Sequence, residues 1–101
     1  MMNIIFLKEA QQEFLETISQ YEAEQEGLGN RFIDEVARSL RWIAQNSQAC
    51  RLRSAGYRRL NLRVFPYYIP YIIRQSNLWV LAIAHSSRKP EYWIARRSNA
   101  G

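Results

Sequence analysis

The sequence predicts an α+β domain in which an N-terminal strand, an antiparallel helical hairpin and a three-stranded antiparallel meander follow one another. We expect both helices to pack on one face of the sheet. Three observations lead to this fold class: the opening apolar run NIIFL, two segments of helical apolar spacing joined by EGLGN, and an alternating pattern that begins in YRRLNLRVF. With 101 residues, of which 48% are hydrophobic, the chain is long enough for one core and too short for two. We therefore expect a single domain over residues 1–101.

The helical hairpin is predicted over about residues 8–26 and 29–46. The apolar positions of the first helix are Ala10, Phe14, Leu15, Ile18 and Tyr21, and those of the second are Phe32, Ile33, Val36, Ala37, Leu40, Ile43 and Ala44. Glutamates occupy the remaining faces of the first helix. The glycines of EGLGN end that helix and permit a tight reversal, so the two helices must lie antiparallel.

The strands are predicted at about residues 3–7, along YRRLNLRVF, at 67–74 and at 78–85, the last two joined by a short turn at QSN. Alternation in YRRLNLRVF assigns Leu60, Leu62 and Val64 to the core face and Arg59, Asn61, Arg63 and Phe65 to the opposite face. Pro70 lies inside a predicted strand and cannot donate a backbone hydrogen bond. We expect a sheet edge, a β-bulge or a pair without hydrogen bonds at this position.

The net charge of +5 conceals a difference between the two halves of the chain. Residues 1–50 hold four basic and eight acidic side chains, a charge of −4, whereas residues 51–101 hold ten basic side chains and one acidic one, a charge of +9. Nine of those ten basic residues are arginine, whose planar donor group suits phosphates and carboxylates. The second half therefore indicates an anionic partner, such as nucleic acid or an acidic protein segment, and the alternative is a solvated basic surface.

The sheet is predicted to be apolar on both faces, although two helices cover only one. The uncovered face would carry Tyr68, Ile72, Trp79, Leu81 and Ile83, or else Tyr67, Ile69, Tyr71, Val80 and Ala82. A large exposed apolar surface usually marks a place where another chain docks. The alternative is that the C-terminal residues Tyr92, Trp93 and Ile94 fold back over this face. We expect residues 97–101 to be flexible.

The sequence lacks the common catalytic motifs. It contains no Gly-rich phosphate loop, no HExxH and no GxSxG, and Cys50 and His85 are the only cysteine and histidine, so neither a metal nor another cofactor is expected. His85, Arg59, Arg63, Arg88, Lys89 and Tyr92 form a metal-free set that in principle could cleave RNA by acid–base and electrostatic catalysis. The alternative for His85 is a hydrogen-bonded structural residue at a strand end. No segment is apolar enough to span a membrane or act as a signal peptide, so we expect a cytoplasmic protein.

The order of the motifs resembles a known family. GLGNRFIDEV, RVFPYYIPYII and LAIAHSSRKPEYW together are similar to the RelE/ParE superfamily of toxins from type II toxin–antitoxin systems, also described as plasmid stabilisation proteins. The closing motif of His85, Arg88, Pro90, Tyr92, Trp93 and Arg96 resembles the ParE-like branch. The resemblance implies a small toxin neutralised by a cognate antitoxin, which lies across the exposed sheet face and the helices.

The resemblance also implies two possible targets. ParE-like toxins inhibit DNA gyrase, whereas RelE-like toxins cut messenger RNA on the ribosome, with His85, Arg63, Arg88 and Tyr92 as the catalytic candidates here. The lysine pair of RelE is absent, because QACRLRSAGYRR contains only arginines as basic residues, and arginine transfers protons poorly. We therefore favour the ParE-like hypothesis. A third possibility is a non-toxic member that binds only its antitoxin and, through it, operator DNA.

The predicted contact residues form two sets. The target- or anion-binding residues are Arg58, Arg59, Arg63, Arg88, Lys89, Arg96 and Arg97. The antitoxin-binding residues are Tyr68, Ile72, Trp79, Leu81, Ile83 and Trp93.

Overall fold

A computed structural model describes residues 2–101 and confirms the α+β class. In chain order the elements are β1 (Asn3–Phe6), α1 (Lys8–Glu24), α2 (Leu28–Gln45), β2 (Arg58–Asn61), β3 (Tyr67–Arg74), β4 (Asn77–Val80), β5 (Ala84–His85) and a 3₁₀ helix (Ile94–Asn99). The sheet is mixed and has the order β1-β4-β3-β2, with β5 also paired to β3. Strands β2, β3 and β4 form the predicted antiparallel meander, and β1 adds to β4 in parallel.

The helical hairpin forms because two glycines occupy its turn. Gly27 has a φ of +88°, in the left-handed region that favours glycine. A Cβ at Gly29 would lie 2.9 Å from Oε1 of Glu22 and 3.0 Å from the carbonyl oxygen of Ile18, so only glycine lets the helices approach this closely. The Glu22 carboxylate accepts hydrogen bonds from the amides of both glycines, each at 3.0 Å, and so satisfies donors at the start of α2.

The core between α2 and the sheet follows the predicted helical stripe. Phe32, Val36, Leu40 and Ile43 of α2 are all buried, as the spacing predicts. A cluster of aromatic rings extends this core toward one end of the sheet and comprises Phe6, Phe14, Tyr21, Phe32, Phe65 and Tyr67. On α1, Leu15 is 56% exposed and lies outside the core.

The strand predicted along YRRLNLRVF is shorter than its alternating pattern. It ends at Asn61, and the Glu35 carboxylate then accepts hydrogen bonds from the amides of Arg63 and Val64 and turns the chain away from the sheet. Two side-chain assignments are therefore wrong. Val64, predicted on the core face, is 70% exposed, and Phe65, predicted on the cationic face, is buried.

The strand predicted at 78–85 is interrupted by a β-bulge opposite Pro70. Tyr71 pairs with Val80 and Tyr68 pairs with Ala84, so two residues of β3 face three residues, 81–83. Pro70 pairs with Arg59 of β2, and on its other side its carbonyl accepts a hydrogen bond from the Leu81 amide. The bulge removes the need for a donor at Pro70, which confirms the bulge among the alternatives expected at this position.

The β3–β4 turn contains two residues. Arg74 pairs with Asn77, and Gln75 and Ser76 between them have φ values of 54° and 65°. Positive φ at both central positions is the geometry of a tight hairpin turn whose twist matches that of the strands.

Candidate functional site: cationic loop and α2–β2 groove

The second face of the sheet is covered by the chain's own C-terminal segment, residues 90–101. The Trp93 side chain is completely buried, packs edge-on against Tyr57 and donates a hydrogen bond from Nε1 to the Tyr68 hydroxyl at 2.9 Å. The prediction of an exposed apolar face is therefore wrong, and its alternative, a C-terminal segment that folds back, is correct. Of the six predicted antitoxin-binding residues, Tyr68, Ile72, Leu81, Ile83 and Trp93 are buried and Trp79 is half-buried.

A single glutamate of α1 holds this segment in place. Glu13 accepts hydrogen bonds from the Tyr92 hydroxyl at 2.8 Å and from Nη1 and Nη2 of Arg96 at 3.0 Å each. It also accepts one from the Ile83 amide at 3.2 Å, while Arg96 donates to the Leu81 carbonyl at 3.1 Å. Glu13 and Arg96 thus satisfy the backbone groups that the bulge removes from the sheet.

Glu13 was not among the predicted site residues, because the glutamates of α1 were expected on the faces of the helix away from the core. The available signal was its place on the helix: it lies on the stripe between Ala10 and Thr17, and both of these residues are buried. A carboxylate on a buried stripe needs a partner, and Arg96 is that partner.

Three of the predicted anion-binding residues use their guanidinium groups in hydrogen bonds within the molecule. Arg96 pairs with Glu13, Arg58 donates to the Cys50 carbonyl at 2.5 Å, and Arg97 donates to the carbonyls of Ile94 and Ala55. Arg74, which was not predicted, binds the carbonyls of Arg97 and Ala100 in the same way. These arginines hold the C-terminal segment and the α2–β2 connection together.

The other four predicted cations remain accessible to different degrees. Arg63 and Lys89 are exposed, and the Arg88 side chain is 56% exposed, stacked at 3.8 Å on the Tyr92 ring and 4.0 Å from Glu13. Arg59 is half-buried, with its guanidinium 3.7 Å from the Tyr68 ring centroid and bonded to the Asn61 side chain. Of these four cations, the most accessible are Arg88 and Lys89 in the loop after β5 and Arg63 in the loop after β2.

An open groove lies between α2 and β2. It encloses about 730 Å³ and is lined by Glu35, Arg38, Ser39, Trp42, Leu60, Asn61, Arg63 and Val64; we call it the α2–β2 groove. Trp42 is 45% exposed and Val64 is 70% exposed, so the groove presents large apolar side chains to solvent. Trp42 was not among the predicted site residues, although a tryptophan two residues past the buried Leu40 lies off the apolar stripe of α2.

The comparison with protein families decides the identity. The family model described as "ParE toxin of type II toxin-antitoxin system, parDE" matches residues 4–90. The chain belongs to the ParE toxin family. A solved chain of "Chromosomal ParDE TA system from P. aeruginosa" has the same fold, with a TM-score of 0.70 and 18% identity over 84% of this chain and 96% of that chain. No curated protein matches the chain at a significant level.

The match to the ParE family confirms the resemblance to the RelE/ParE superfamily. The matched range ends near the start of the C-terminal segment. Glu13 lies within the matched residues, whereas its partners Tyr92 and Arg96 lie beyond residue 90. All of the C-terminal segment except Pro90 therefore lies beyond the matched residues. The flexibility expected of residues 97–101 stays a prediction.

The nuclease candidates of this ParE toxin are only partly brought together. Arg88 stacks on Tyr92, but within residues 2–101 no side-chain hydrogen bond or ion pair joins His85 or Arg63 to either of them. Nδ1 of His85 accepts a hydrogen bond from the Ser87 amide at 3.0 Å, and its ring packs edge-on against Tyr67. Within residues 2–101, the other ring nitrogen, Nε2, forms no hydrogen bond.

Tyr92 is poorly suited to remove a proton. Burial, followed by the hydrogen bond to Glu13, raises the pKa of its hydroxyl well above the usual value for tyrosine. The hydroxyl is therefore neutral at physiological pH and is already committed to a carboxylate.

Two further observations concern membranes and metals. None of the helices within residues 2–101 combines the length and the hydropathy that crossing a membrane requires. In the same residues, no three His, Cys, Asp or Glu side chains lie together as a metal-binding group.

Proposed function

We propose that this chain is the toxin of a type II toxin–antitoxin pair and that it inhibits DNA gyrase by binding rather than by catalysis. The observation that carries the proposal is the division of the polar residues around the C-terminal segment. The Tyr92 hydroxyl is bonded to Glu13 and Nδ1 of His85 is bonded to Ser87, whereas Lys89 and more than half of the Arg88 side chain are exposed in the neighbouring loop. Accessible cations beside a tyrosine that is already committed to a carboxylate favour docking on an acidic surface over cleavage of a phosphodiester.

The proposal includes a cognate antitoxin that neutralises the toxin in the cytoplasm. Membership in the ParE toxin family supports such a partner. The basic second half of the chain gives it a charge to which an acidic segment is complementary. Contact with operator DNA would then pass through the antitoxin.

A supercoiling assay with purified components tests the proposal. The purified chain should prevent gyrase from supercoiling relaxed plasmid, and addition of the antitoxin from the neighbouring gene should restore supercoiling. Messenger RNA extracted from cells whose growth the chain has arrested should show no ribosome-dependent cleavage.

Two outcomes would support other functions. Normal supercoiling together with messenger RNA cut at the ribosome identifies a RelE-like endoribonuclease. Cells that grow normally while they produce the folded chain alone indicate a non-toxic member that binds only its antitoxin.

A further inference from the structure

Strand β1 is an edge strand whose outer backbone groups are available. The Leu7 amide donates to the Val80 carbonyl at 3.1 Å, so in this parallel ladder the backbone groups of Ile5 also face β4. The backbone groups of Ile4 and the Phe6 amide then point away from the sheet. Among the strands within residues 2–101, β1 pairs only with β4, so this edge can accept another strand.

Two open clefts lie beside this edge and meet at Gln11 and Leu15. The first encloses about 470 Å³ and is lined by Ile4, Ile5, Phe6, Gln11, Phe14 and Leu15. The second encloses about 360 Å³ and is lined by Lys8, Gln11, Gln12, Leu15 and Glu16. We call the two clefts together the β1–α1 surface. Because Ile4 is 36% exposed and Leu15 is 56% exposed, an accessible apolar surface adjoins a free strand edge, which is typical of a pairing site.

The charges of the β1–α1 surface are complementary to themselves. Lys8 and Glu16 each lie four residues from Gln12, and both are exposed. Within residues 2–101, neither side chain forms an ion pair. Two α1 helices that lie antiparallel about Gln12 would therefore place each Lys8 opposite Glu16 of the other copy. Self-complementarity about a two-fold axis is what a symmetric dimer requires, so the surface fits a second copy of this chain.

The strand and the helix are consistent with the same two-fold axis. Antiparallel pairing of two β1 strands, with Ile4 opposite Phe6 of the other copy, centres the axis at Ile5. About 7 Å of strand separates Ile5 from Leu7, and α1, which folds back beside β1, covers that distance in about four to five residues. This point on the helix lies close to Gln12, the centre of the charge pattern.

We propose that two copies of this chain form a symmetric dimer through the β1–α1 surface. The two β1 strands pair antiparallel and join the sheets, Leu15 of each copy packs between the α1 helices, and each Lys8 pairs with Glu16 of the other copy. Because the interface is small, the dissociation constant should be about 10–100 µM. The inference concerns the chain by itself and does not depend on the proposed function.

Reversal of the paired charges tests the proposal, with self-association measured by sedimentation equilibrium. Lys8→Glu and Glu16→Lys each bring like charges together in a homodimer, so each should weaken self-association about tenfold or more. An equimolar mixture of the two variants restores both opposite-charge pairs and should form a heterodimer with about the wild-type affinity. Glu24→Lys, the same charge change at an exposed position of α1 outside the clefts, should leave the dimer intact.

Substitution of Ile4 tests the pairing of the strands. Ile4→Pro removes an amide that β4 does not use, and proline is tolerated on the outer side of an edge strand, so the fold should persist. Its matched control, Ile4→Ala, loses the same side chain but keeps the amide. We expect Ile4→Ala to weaken self-association about threefold and Ile4→Pro about tenfold more than that. Circular dichroism checks that each variant is folded.

The outcomes decide whether the dimer exists and where it forms. A wild-type chain that remains monomeric at about 500 µM overturns the proposal. A dimer that Lys8→Glu and Ile4→Pro leave unchanged, or that Trp42→Ala dissociates, lies on another surface and also contradicts it. If the mixture of Lys8→Glu and Glu16→Lys stays monomeric, the two single variants do not report a direct pair, and the proposed geometry is wrong.

Discussion

Glu13 is the residue on which the position of the C-terminal segment depends most. It receives hydrogen bonds from the Tyr92 hydroxyl, the Arg96 guanidinium and the Ile83 amide, and thereby joins α1, the bulge and the segment that covers the sheet. Both Glu13 and Arg96 are largely shielded from water, with side-chain exposures of 18% and 19%. Loss of one partner would leave the other charge in a poorly solvated position.

We predict that Glu13→Ala lowers the free energy of unfolding by about 2–3 kcal/mol, because it leaves Arg96, the Tyr92 hydroxyl and the Ile83 amide without their partner. Urea denaturation measures the effect. Glu16→Ala, an exposed glutamate of the same helix, serves as the control and should change stability by less than about 0.5 kcal/mol. Equal effects of the two variants would show that the Glu13 contacts contribute nothing specific.

Tyr92 makes stability sensitive to alkaline pH. Burial and the Glu13 hydrogen bond raise the pKa of its hydroxyl above 10.0, the value in the unfolded chain. Between these two pKa values the folded state retains a proton that the unfolded state has lost, so the contribution is complete below pH 10 and declines as the pH rises above it. Burial also raises the pKa values of Tyr57 and Tyr71.

We predict that the wild-type chain loses stability above about pH 10 more steeply than Tyr92→Phe, which retains Tyr57 and Tyr71. Urea midpoints measured at pH 8 and at about pH 10.5 give the comparison. Parallel decreases in the two proteins would mean that Tyr92 titrates as it does in the unfolded chain.

At the scale of elements, the helical hairpin depends on close approach at Gly29. We predict that Gly29→Ala destabilises the fold by about 1–3 kcal/mol, because the added Cβ meets the Ile18 carbonyl and displaces the Glu22 carboxylate from its two amides. Thermal denaturation checks it. Asn30→Ala, at the next and exposed position, should be nearly neutral. A more stable Gly29→Ala would show that its gain in helix propensity exceeds the clash.

Elements with a single dominant local signal were predictable from sequence. The stripe of Phe32, Val36, Leu40 and Ile43 predicts α2, and Pro70 predicts an irregularity in its own strand. The end of β2 was not predictable, since alternation continues to Phe65 while the buried Glu35, 28 residues earlier in the chain, binds the Arg63 amide and ends the strand. The parallel pairing of β1 with β4 likewise depends on contacts distant in sequence.

At the scale of the whole molecule, the sequence predicts that the sheet is apolar on both faces but does not decide what covers the second face. A partner and the chain's own C-terminal segment bury the same residues equally well, and the choice depends on the pairing of Glu13 with Arg96, which are 83 residues apart. The sequence likewise does not decide which arginines are accessible to a partner. Total positive charge was evident from the composition. Which arginines remain free depends on distant backbone carbonyls that the fold brings near them, such as the Cys50 carbonyl for Arg58 and the Ala55 carbonyl for Arg97.

The candidate binding surfaces therefore differ from the surface that the sequence predicts. The face that the sequence predicted as the antitoxin site is occupied by residues of the chain itself, while the α2–β2 groove and the loop carrying Arg88 and Lys89 remain accessible. One molecule thus offers two separate surfaces. In our proposal the loop contacts the target.

The affinity of the chain for DNA gyrase, measured with and without a charge reversal in this loop, tests most directly that the toxin acts by binding through exposed cations. We predict salt-sensitive binding that is weakened about tenfold or more by Arg88→Glu with Lys89→Glu. Arg31→Glu with Arg51→Glu, which changes the net charge equally at other exposed positions, should retain most of the affinity. Equal affinity of the wild-type chain and the Arg88→Glu, Lys89→Glu variant, or no binding to gyrase by the wild-type chain, would contradict this account.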